Sequence, residues 1–474
     1  MADIIAAIST ALAPSGIGVI RLSGDNCART AAEILTPVHG KPLPEAVPRK
    51  LCLYDLHDRQ GRIIDRILAV YTPGPHSYTG EDTVELQCHG SPAVLTEALS
   101  ALFQHGARQA GPGEFTKRAF LNGQMDLTAA EAVIDLIEAE TADAAANAAG
   151  QVGGALLRKL DPIYEALVSM MSHFHAVLDY PDEDIDDFSL QNYAALLDTQ
   201  IDALEQLLST CQRGQIVRNG VKSVILGRPN AGKSSLLNAL AGYERVIVTD
   251  IPGTTRDTVE EKIRMGGLIL RLIDTAGIRK TNDVVENIGI ERTFQKMEEA
   301  RIIIWLLDEL PAESEIDEME KKNQGKKLLM VFNKIDALSF DPTSLSFHYS
   351  AQSADKNSLA SSPSSSPASI SILSISARTG ENIPLLEKAL VEAADIPEIS
   401  ENDVIVTSAR HYEALIRANE SLSRVLESMN IGMSGDIIAE DLKIVLEELG
   451  EITGGQISSQ ETLNNIFKHF CIGK

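Results

Sequence analysis

The sequence predicts a multidomain fold: an α+β domain at the N-terminus, then a discontinuous helical domain with an α/β domain inserted in it. Three observations carry this expectation. A glycine-rich turn, Gly227-Arg228-Pro229-Asn230-Ala231-Gly232-Lys233-Ser234, stands between a strand-like run, Val221–Leu226, and a helix-forming run, Ser235–Leu240. Apolar stripes at helical spacing lie on both sides of that region. Residues 1–120 instead carry short strand-like runs punctuated by glycines. At 474 residues, two to four domains are expected.

The N-terminal domain is placed at 1–120. Ile4–Ile8, Ile17–Leu22 and Thr83–Cys88 read as strands, with Gly80, Gly90, Gly106, Gly111 and Gly113 at turns. No metal-ligand spacing and no nucleophile–base pair stands out, and His89 beside Gly90 reads as structural. The first helical part is placed at 121–217. Leu127, Ala130, Val133, Ile134 and Ile137 form a stripe in a run reaching about Arg158. Asp161-Pro162 then predicts a new helix start, a cap followed by proline, continuing from Ile163 to Leu178. The acidic run Asp179–Asp187 reads as a solvated loop between helices.

The α/β domain is placed at 218–394. It carries a Ser-rich insert, 350–369, read as a flexible surface loop. The second helical part, 395–474, shows Leu415, Leu422 and Leu426, then Ile438, Leu442, Val445 and Leu449, as two amphipathic helices.

Composition narrows the class. Hydrophobic residues make up 44%, ample for cores, yet no stretch approaches eighteen unbroken apolar residues. No membrane span is expected. The N-terminus lacks a signal peptide's basic start and apolar core. Cys27, Cys52, Cys88, Cys211 and Cys471 are scattered without a C-x-x-C pair. That argues against structural zinc and disulfides, and for the cytoplasm. The net charge is −25, from 42 basic and 67 acidic residues. Such a chain is a poor general nucleic-acid binder, so any RNA contact needs a local basic face or a partner's surface.

The chemistry sits in the α/β domain. A strand, a G-x-x-x-x-G-K-S turn and a helix aim backbone N–H groups and the helix dipole at phosphates. Asn230, Ala231, Gly232, Lys233, Ser234 and Ser235 form this loop. Lys233 is expected to reach the β- and γ-phosphates, and the Ser234 hydroxyl to ligate Mg²⁺. After the strand-like Leu328–Phe332 comes Asn333-Lys334-Ile335-Asp336. A carboxylate there accepts both N–H groups on the edge of guanine, so Asp336 implies GTP. Ser376-Ala377-Arg378, after Ile370–Ile375, resembles the third guanine-contacting loop of GTPases.

Two segments between these motifs are placed to sense the γ-phosphate. Asp274-Thr275-Ala276-Gly277 ends the strand-like Leu268–Ile273, with Asp274 on a Mg²⁺-bound water and the Gly277 N–H on the phosphate. Upstream runs Thr249-Asp250-Ile251-Pro252-Gly253-Thr254-Thr255, where Thr255 closes on the same Mg²⁺. Order and disorder of these loops is how such domains switch. Ras-like enzymes carry a water-orienting Gln after D-x-x-G. Here that residue is Ile278, so either hydrolysis is poor or another group acts. The Asn230 side chain offers an oxygen beside the phosphates to a monovalent cation. Glu286 is a candidate for polarising water, against the alternative of a surface position on a helix.

Tyr78–Gln87, Gly111–Asn122, Gly227–Ser235, Thr249–Asp257 and the terminal Phe470-Cys471-Ile472-Gly473-Lys474 together resemble the MnmE (TrmE) family of tRNA-modification GTPases. The resemblance runs through all three regions in order. It implies a tetrahydrofolate-binding-like N-terminal domain that also dimerises, and a Ras-like GTPase domain. It implies a flavin- and NADH-using partner, MnmG (GidA), in a heterotetramer. The two proteins would add an aminomethyl-type group to C5 of the wobble uridine of tRNA, with the one-carbon unit carried on 5-formyl- or methylene-tetrahydrofolate. GTP hydrolysis would depend on K⁺, held by Asn230, Thr254 and the carbonyls of Thr249 and Ile251, with Glu286 as the catalytic acid. Arg21, Glu85, Gln124 and Lys474 would line the folate site. Gln124 stands where the family usually has a basic residue, Ala11–Gly16 departs from the usual Pro-rich loop, and the 350–369 insert is not a family feature. Two other classes stay open on the residues alone: a ribosome-assembly GTPase, and a GTP-gated scaffold with no direct part in carbon transfer.

Overall fold

The computed structural model describes residues 3–179, 190–242, 261–273, 297–323, 326–337, 371–395, 404–455, 460–468 and 470–473. Their contacts divide the chain into two units. One is Met1–Glu138, Ala145–Leu208 and Ala409–Lys474; the other is Ala139–Ala144 and Ser209–Ser408.

Alternation builds the first unit's sheet. In β2 (Ser15–Ser23) Ile20 and Leu22 are fully buried, and in β6 (Thr83–Gly90) so are Val84 and Leu86. These pack with α1 (Cys27–Ala32) and α2 (Pro92–Gln104) into one core. Period-2 alternation sends the intervening Arg21 and Glu85 to the opposite face. Before β2 runs β1 (Ile5–Ile8), and between α1 and β6 run β3 (Leu35–Pro37), β4 (Cys52–His57) and β5 (Ile63–Thr72). With β7 (Arg108–Gln109) they form a seven-stranded sheet of order β3-β4-β5-β6-β2-β1-β7. Every pairing is antiparallel except β1 with β7. The second face carries its own small core of Ile5, Ala7, Ala110 and Phe115, with Tyr78 against it.

Helices complete this unit: α3 (Glu114–Leu121), α4 (Leu127–Glu138), α5 (Ala142–Val152), whose first residues belong to the second unit, α6 (Ala155–Asp179) and the long α7 (Leu190–Asn219), which runs on into the second unit. The expected break at Asp161-Pro162 does not occur: Pro162 lies inside α6. An internal proline removes a backbone bond and costs about 3 kcal/mol. Leu156, Leu160, Ile163, Leu167, Met170 and Phe174 form a buried stripe that runs straight through it. Burial of each such side chain contributes roughly 1.5–3 kcal/mol, so tertiary packing overrides the local stop signal.

In the second unit, β8 (Val221–Leu226), β9 (Glu261–Met265), β10 (Leu268–Leu272), β11 (Ile302–Leu307), β12 (Lys327–Phe332) and β13 (Ser371–Ser374) form a sheet of order β13-β12-β11-β8-β10-β9. It is parallel but for the β9–β10 hairpin. All six residues of β11, Ile-Ile-Ile-Trp-Leu-Leu, are buried. Ile302, Ile304 and Leu306 join the core on one face, and Ile303, Trp305 and Leu307 the core on the other. A strand buried on both faces has to be apolar throughout. Described helices of this unit are α8 (Lys233–Ala241), α9 (Glu313–Asn323) and α10 (Ile383–Ala393).

The chain returns to the first unit with α11 (Ala409–Asn430), α12 (Gly435–Thr453) and α13 (Gln460–Phe467). Leu415 and Leu422 are buried in α11, and Ile438, Leu442, Val445 and Leu449 in α12, as their spacing predicts. A buried ion cluster ties α4 to α11. The Glu131 carboxylate accepts from Arg410 Nε at 2.9 Å and lies 2.7 Å from His411 Nε2. Burial alone would raise the Glu131 carboxyl, but His411 and Arg410 outweigh it and hold it down to about 2. No helix among the described residues is long and apolar enough to cross a membrane.

Candidate nucleotide site and N-terminal cradle

Parallel strands end together, so the loops after β8, β12 and β13 meet at one edge, where open α/β sheets bind ligands. The turn after β8 needs glycine. Gly232 has φ +94°, and a Cβ there would come within 2.2 Å of Asn333 Nδ2. Gly232 caps α8, so Lys233 and Ser234 open that helix, where the dipole favours an anion. Lys233 Nζ donates to the Gly227 carbonyl at 2.6 Å. Ser234, Ser235 and Asn230 are exposed, and Asn230 holds a left-handed φ of 65°. Arg228 in the same turn pairs with Glu309 and, at 2.7 Å, with Glu315 of α9.

Asn333 is nearly fully buried and joins the three loops. Its Nδ2 donates to the Ala231 carbonyl at 2.8 Å, and its Oδ1 accepts from the Ala377 N–H at 2.9 Å. Lys334 pairs with Asp308 at 2.7 Å. Asp336 Oδ1 accepts the Ser376 hydroxyl at 2.7 Å, and Oδ2 pairs with Arg378. The Ser376 hydroxyl, and behind it Arg378, holds the Asp336 carboxyl below the usual carboxylate range. A cavity of about 600 Å³ opens here, lined among others by Gly232, Ser235, Asn333, Asp336, Ala377 and Arg378. Thus Ala231, Gly232, Asn333, Lys334, Asp336, Ser376, Ala377 and Arg378 come together from three separate stretches of chain. Sequence reasoning missed Asp308. The signal was the apolar run 302–307, whose end must reach the same sheet edge.

Thr249, Asp250, Ile251, Pro252, Gly253, Thr254, Thr255, Asp274, Thr275, Ala276, Gly277, Glu286, Lys474 and the 350–369 insert lie outside the described residues. Among the described residues no group of three or more His, Cys, Asp or Glu side chains is placed to hold a metal.

In the first unit, Arg21 and Glu85 are cross-strand partners on β2 and β6. Arg21 donates from Nε at 3.0 Å and Nη2 at 2.8 Å, both to Glu85 Oε1. The guanidinium lies over the rings of Tyr78, 5.2 Å from the centroid, and Phe115, at 5.8 Å. Both rings lie in stretches that carry the family resemblance, Tyr78–Gln87 and Gly111–Asn122, though neither was singled out as a contact. The Tyr78–Glu81 loop is pinned: Arg118 and Ser23 both donate to Glu81, and Asn122 Nδ2 donates to the Thr79 carbonyl at 2.7 Å. Gln124 meets this loop at Gly80, its amide 3.1 Å from where a Gly80 Cβ would be.

The C-terminal tail docks beside this domain. Phe467 and Phe470 are buried with Leu127 and Ala130, their rings 5.0 Å apart. Beyond them Ile472 bridges Pro112, the Gly113 N–H donates to the Cys471 carbonyl at 3.2 Å, and the Ser9 hydroxyl donates to the Gly473 carbonyl at 2.9 Å. Gly473 has φ +99°, and a Cβ would sit 2.4 Å from the Ile8 carbonyl, so this close approach needs glycine.

Comparison with known proteins agrees with this geometry. A family model described as the MnmE helical domain matches residues 127–471, and one described as the GTP-binding protein TrmE N-terminus matches residues 4–124. The chain is 40% identical over 511 residues to the tRNA modification GTPase MnmE of Phocaeicola vulgatus. It is 39% identical over 478 residues to that of Bacteroides fragilis, and 42% over 475 residues to that of Nitrosomonas europaea. Each alignment covers 100% of this chain and 99% of the relative. With two family models matched in order and full-length identity near 40%, this chain belongs to the MnmE family of tRNA-modification GTPases.

Proposed function

We propose that the chain binds and hydrolyses GTP at the loops joined by Asn333, and that hydrolysis drives modification of C5 of the wobble uridine in tRNA. The observation that carries the nucleotide reading is the Asp336 carboxylate facing a cavity shared with Ala377 and the phosphate loop. The Asp336 carboxylate matches guanine's two N–H donors, and a backbone N–H of the Ser376–Arg378 loop its carbonyl. Asn230, Ala231, Gly232, Lys233, Ser234 and Ser235 hold the phosphates. Ser234, exposed in the first turn of α8, fits Mg²⁺, with Thr255 as its second protein ligand. Bound Mg²⁺ neutralises charge on the β- and γ-phosphates. Thr249, Asp250, Ile251, Pro252, Gly253, Thr254, Asp274, Thr275, Ala276 and Gly277 complete the nucleotide site. Asn230, Thr249, Ile251 and Thr254 hold K⁺, and Glu286 is the catalytic acid.

The N-terminal cradle takes a tetrahydrofolate derivative against Arg21 and Glu85, with Gln124 and Lys474 as further contacts. This reading divides the chain at 120, 217 and 394. It makes the protein a cytoplasmic homodimer joined through residues 1–120, acting with the flavoprotein MnmG. Mass analysis of wobble uridines from cells lacking the protein tests it. Loss of the C5 group, restored by the wild-type chain, is expected. An unchanged uridine with defective ribosome assembly would favour an assembly GTPase instead.

A further inference from the structure

The base-reading carboxylate has a cationic partner inside its own pocket. Arg378 Nη2 donates to Asp336 Oδ2, while the Ser376 hydroxyl takes Oδ1. We propose that Arg378 is an internal competitor for the guanine base: its guanidinium occupies the carboxylate oxygen that the base must take, and so limits how tightly guanine nucleotides bind. The inference rests on the guanine-site reading above and adds to it a residue that sets affinity.

The donor chemistry is the same on both sides. A guanidinium presents N–H groups in a planar fork that suits a carboxylate. The edge of guanine also presents two N–H groups to that carboxylate. Each carboxylate oxygen has two acceptor sites, so the exclusion is one of space: the small Ser376 hydroxyl takes one site on Oδ1, whereas the larger planar guanidinium at Oδ2 competes with the base for room there.

The loop itself is fixed, so only the side chain can give way. Ser376 is fully buried, its N–H bonded to the Glu381 carbonyl at 3.0 Å and its carbonyl accepting from Gly380 at 2.9 Å. The Ala377 N–H is held by Asn333. The Arg378 side chain, by contrast, is 80% exposed and can swing into water without moving the backbone. An exposed ion pair of about 0.4–1 kcal/mol corresponds to roughly two- to fivefold in affinity, the expected effect.

The test is Arg378→Ala in the full chain, with a fluorescent GDP titrated at about 0.05 M and about 1 M salt. Tighter binding by roughly two- to fivefold at low salt is expected. The gain should fade at high salt, where the Debye length falls to about 3 Å. Equal or weaker binding at low salt overturns the proposal, weaker binding making Arg378 a ligand of the base. A gain of the same size at both salts also overturns it, because an ion pair is not then its source. Asp336→Asn is measured in parallel with guanine and xanthine nucleotides. Retained guanine preference there would sink the site reading, whatever Arg378 does. In the Asp336→Asn background, Arg378→Ala should give no tightening toward the xanthine nucleotide, since no ion pair remains to remove.

Discussion

At Asn333 one side-chain amide bonds both the phosphate loop and the Ser376–Arg378 loop. That bracket sets Asp336 in the same pocket as Gly232, and two residue-scale predictions follow from the arrangement. Asp336→Asn replaces an acceptor with a donor. Guanine affinity should fall about 10- to 100-fold, the scale of a lost charge-assisted pair, with preference moving to xanthine in a competition assay. Unchanged preference would remove Asp336 as the base reader. The second concerns the cation. Ile278 cannot orient water, and Asn230 offers a side-chain oxygen from an exposed, left-handed position in the phosphate loop. GTP turnover should therefore need K⁺ over Na⁺, and Asn230→Ala should abolish that difference and slow turnover by at least about tenfold. Equal wild-type rates in the two salts would refute it. These motif residues were legible because phosphate and base chemistry demand particular residue types at fixed spacings. Asp308 was not, because the apolar run 302–307 before it points to the site only once the sheet order is known, and the Arg378 pairing was not, because nothing local marks it.

At the scale of elements, the α4–α11 lock makes a pH-dependent statement. The Glu131 carboxyl is lowered from its ordinary 4.5 to about 2 in the folded chain. For a depressed carboxyl, the contribution to stability is complete above about pH 4.5 and is lost as pH falls toward 2. Glu131→Gln should thus destabilise by roughly 2–3 kcal/mol at neutral pH and by progressively less below pH 4.5, read as denaturant midpoints by circular dichroism. An equal loss at pH 7 and pH 3 would show that shape, not charge, is what the site needs. Element-scale reading of the sequence worked where periodicity was strong, as in α11 and α12, and where an apolar run led into a nucleotide motif, as in β8 and β12. It failed at Pro162, where the stop signal is local and the burial that overrides it is tertiary. It missed β11, an apolar run like β12 but with no nucleotide motif directly after it to mark it as a strand end.

At the scale of the molecule, the last residues of the chain reach the first strand. Deleting Cys471–Lys474 removes the Ile472 bridge to Pro112 and the Gly473 bond to Ser9, while Phe467 and Phe470 keep the helical core. Modification of tRNA should be lost and intrinsic GTPase activity kept, since the phosphate loop lies in the other unit. Full modification by the truncated chain in a complementation assay would show the tail to be dispensable. The sequence by itself determined the nucleotide motifs, the two-sided helical stripes around the α/β domain and the family, because each is written in residue identity at short, regular spacing. Only the tertiary structure decided that Arg21 and Glu85, 64 residues apart, form one ion pair over the Tyr78 and Phe115 rings. Likewise it alone decided that Asn333 joins loops 102 and 44 residues away, and that Gly473 packs against Ile8. Register and sheet order create such meetings, and burial of the whole core fixes both. No local run of residues holds that information.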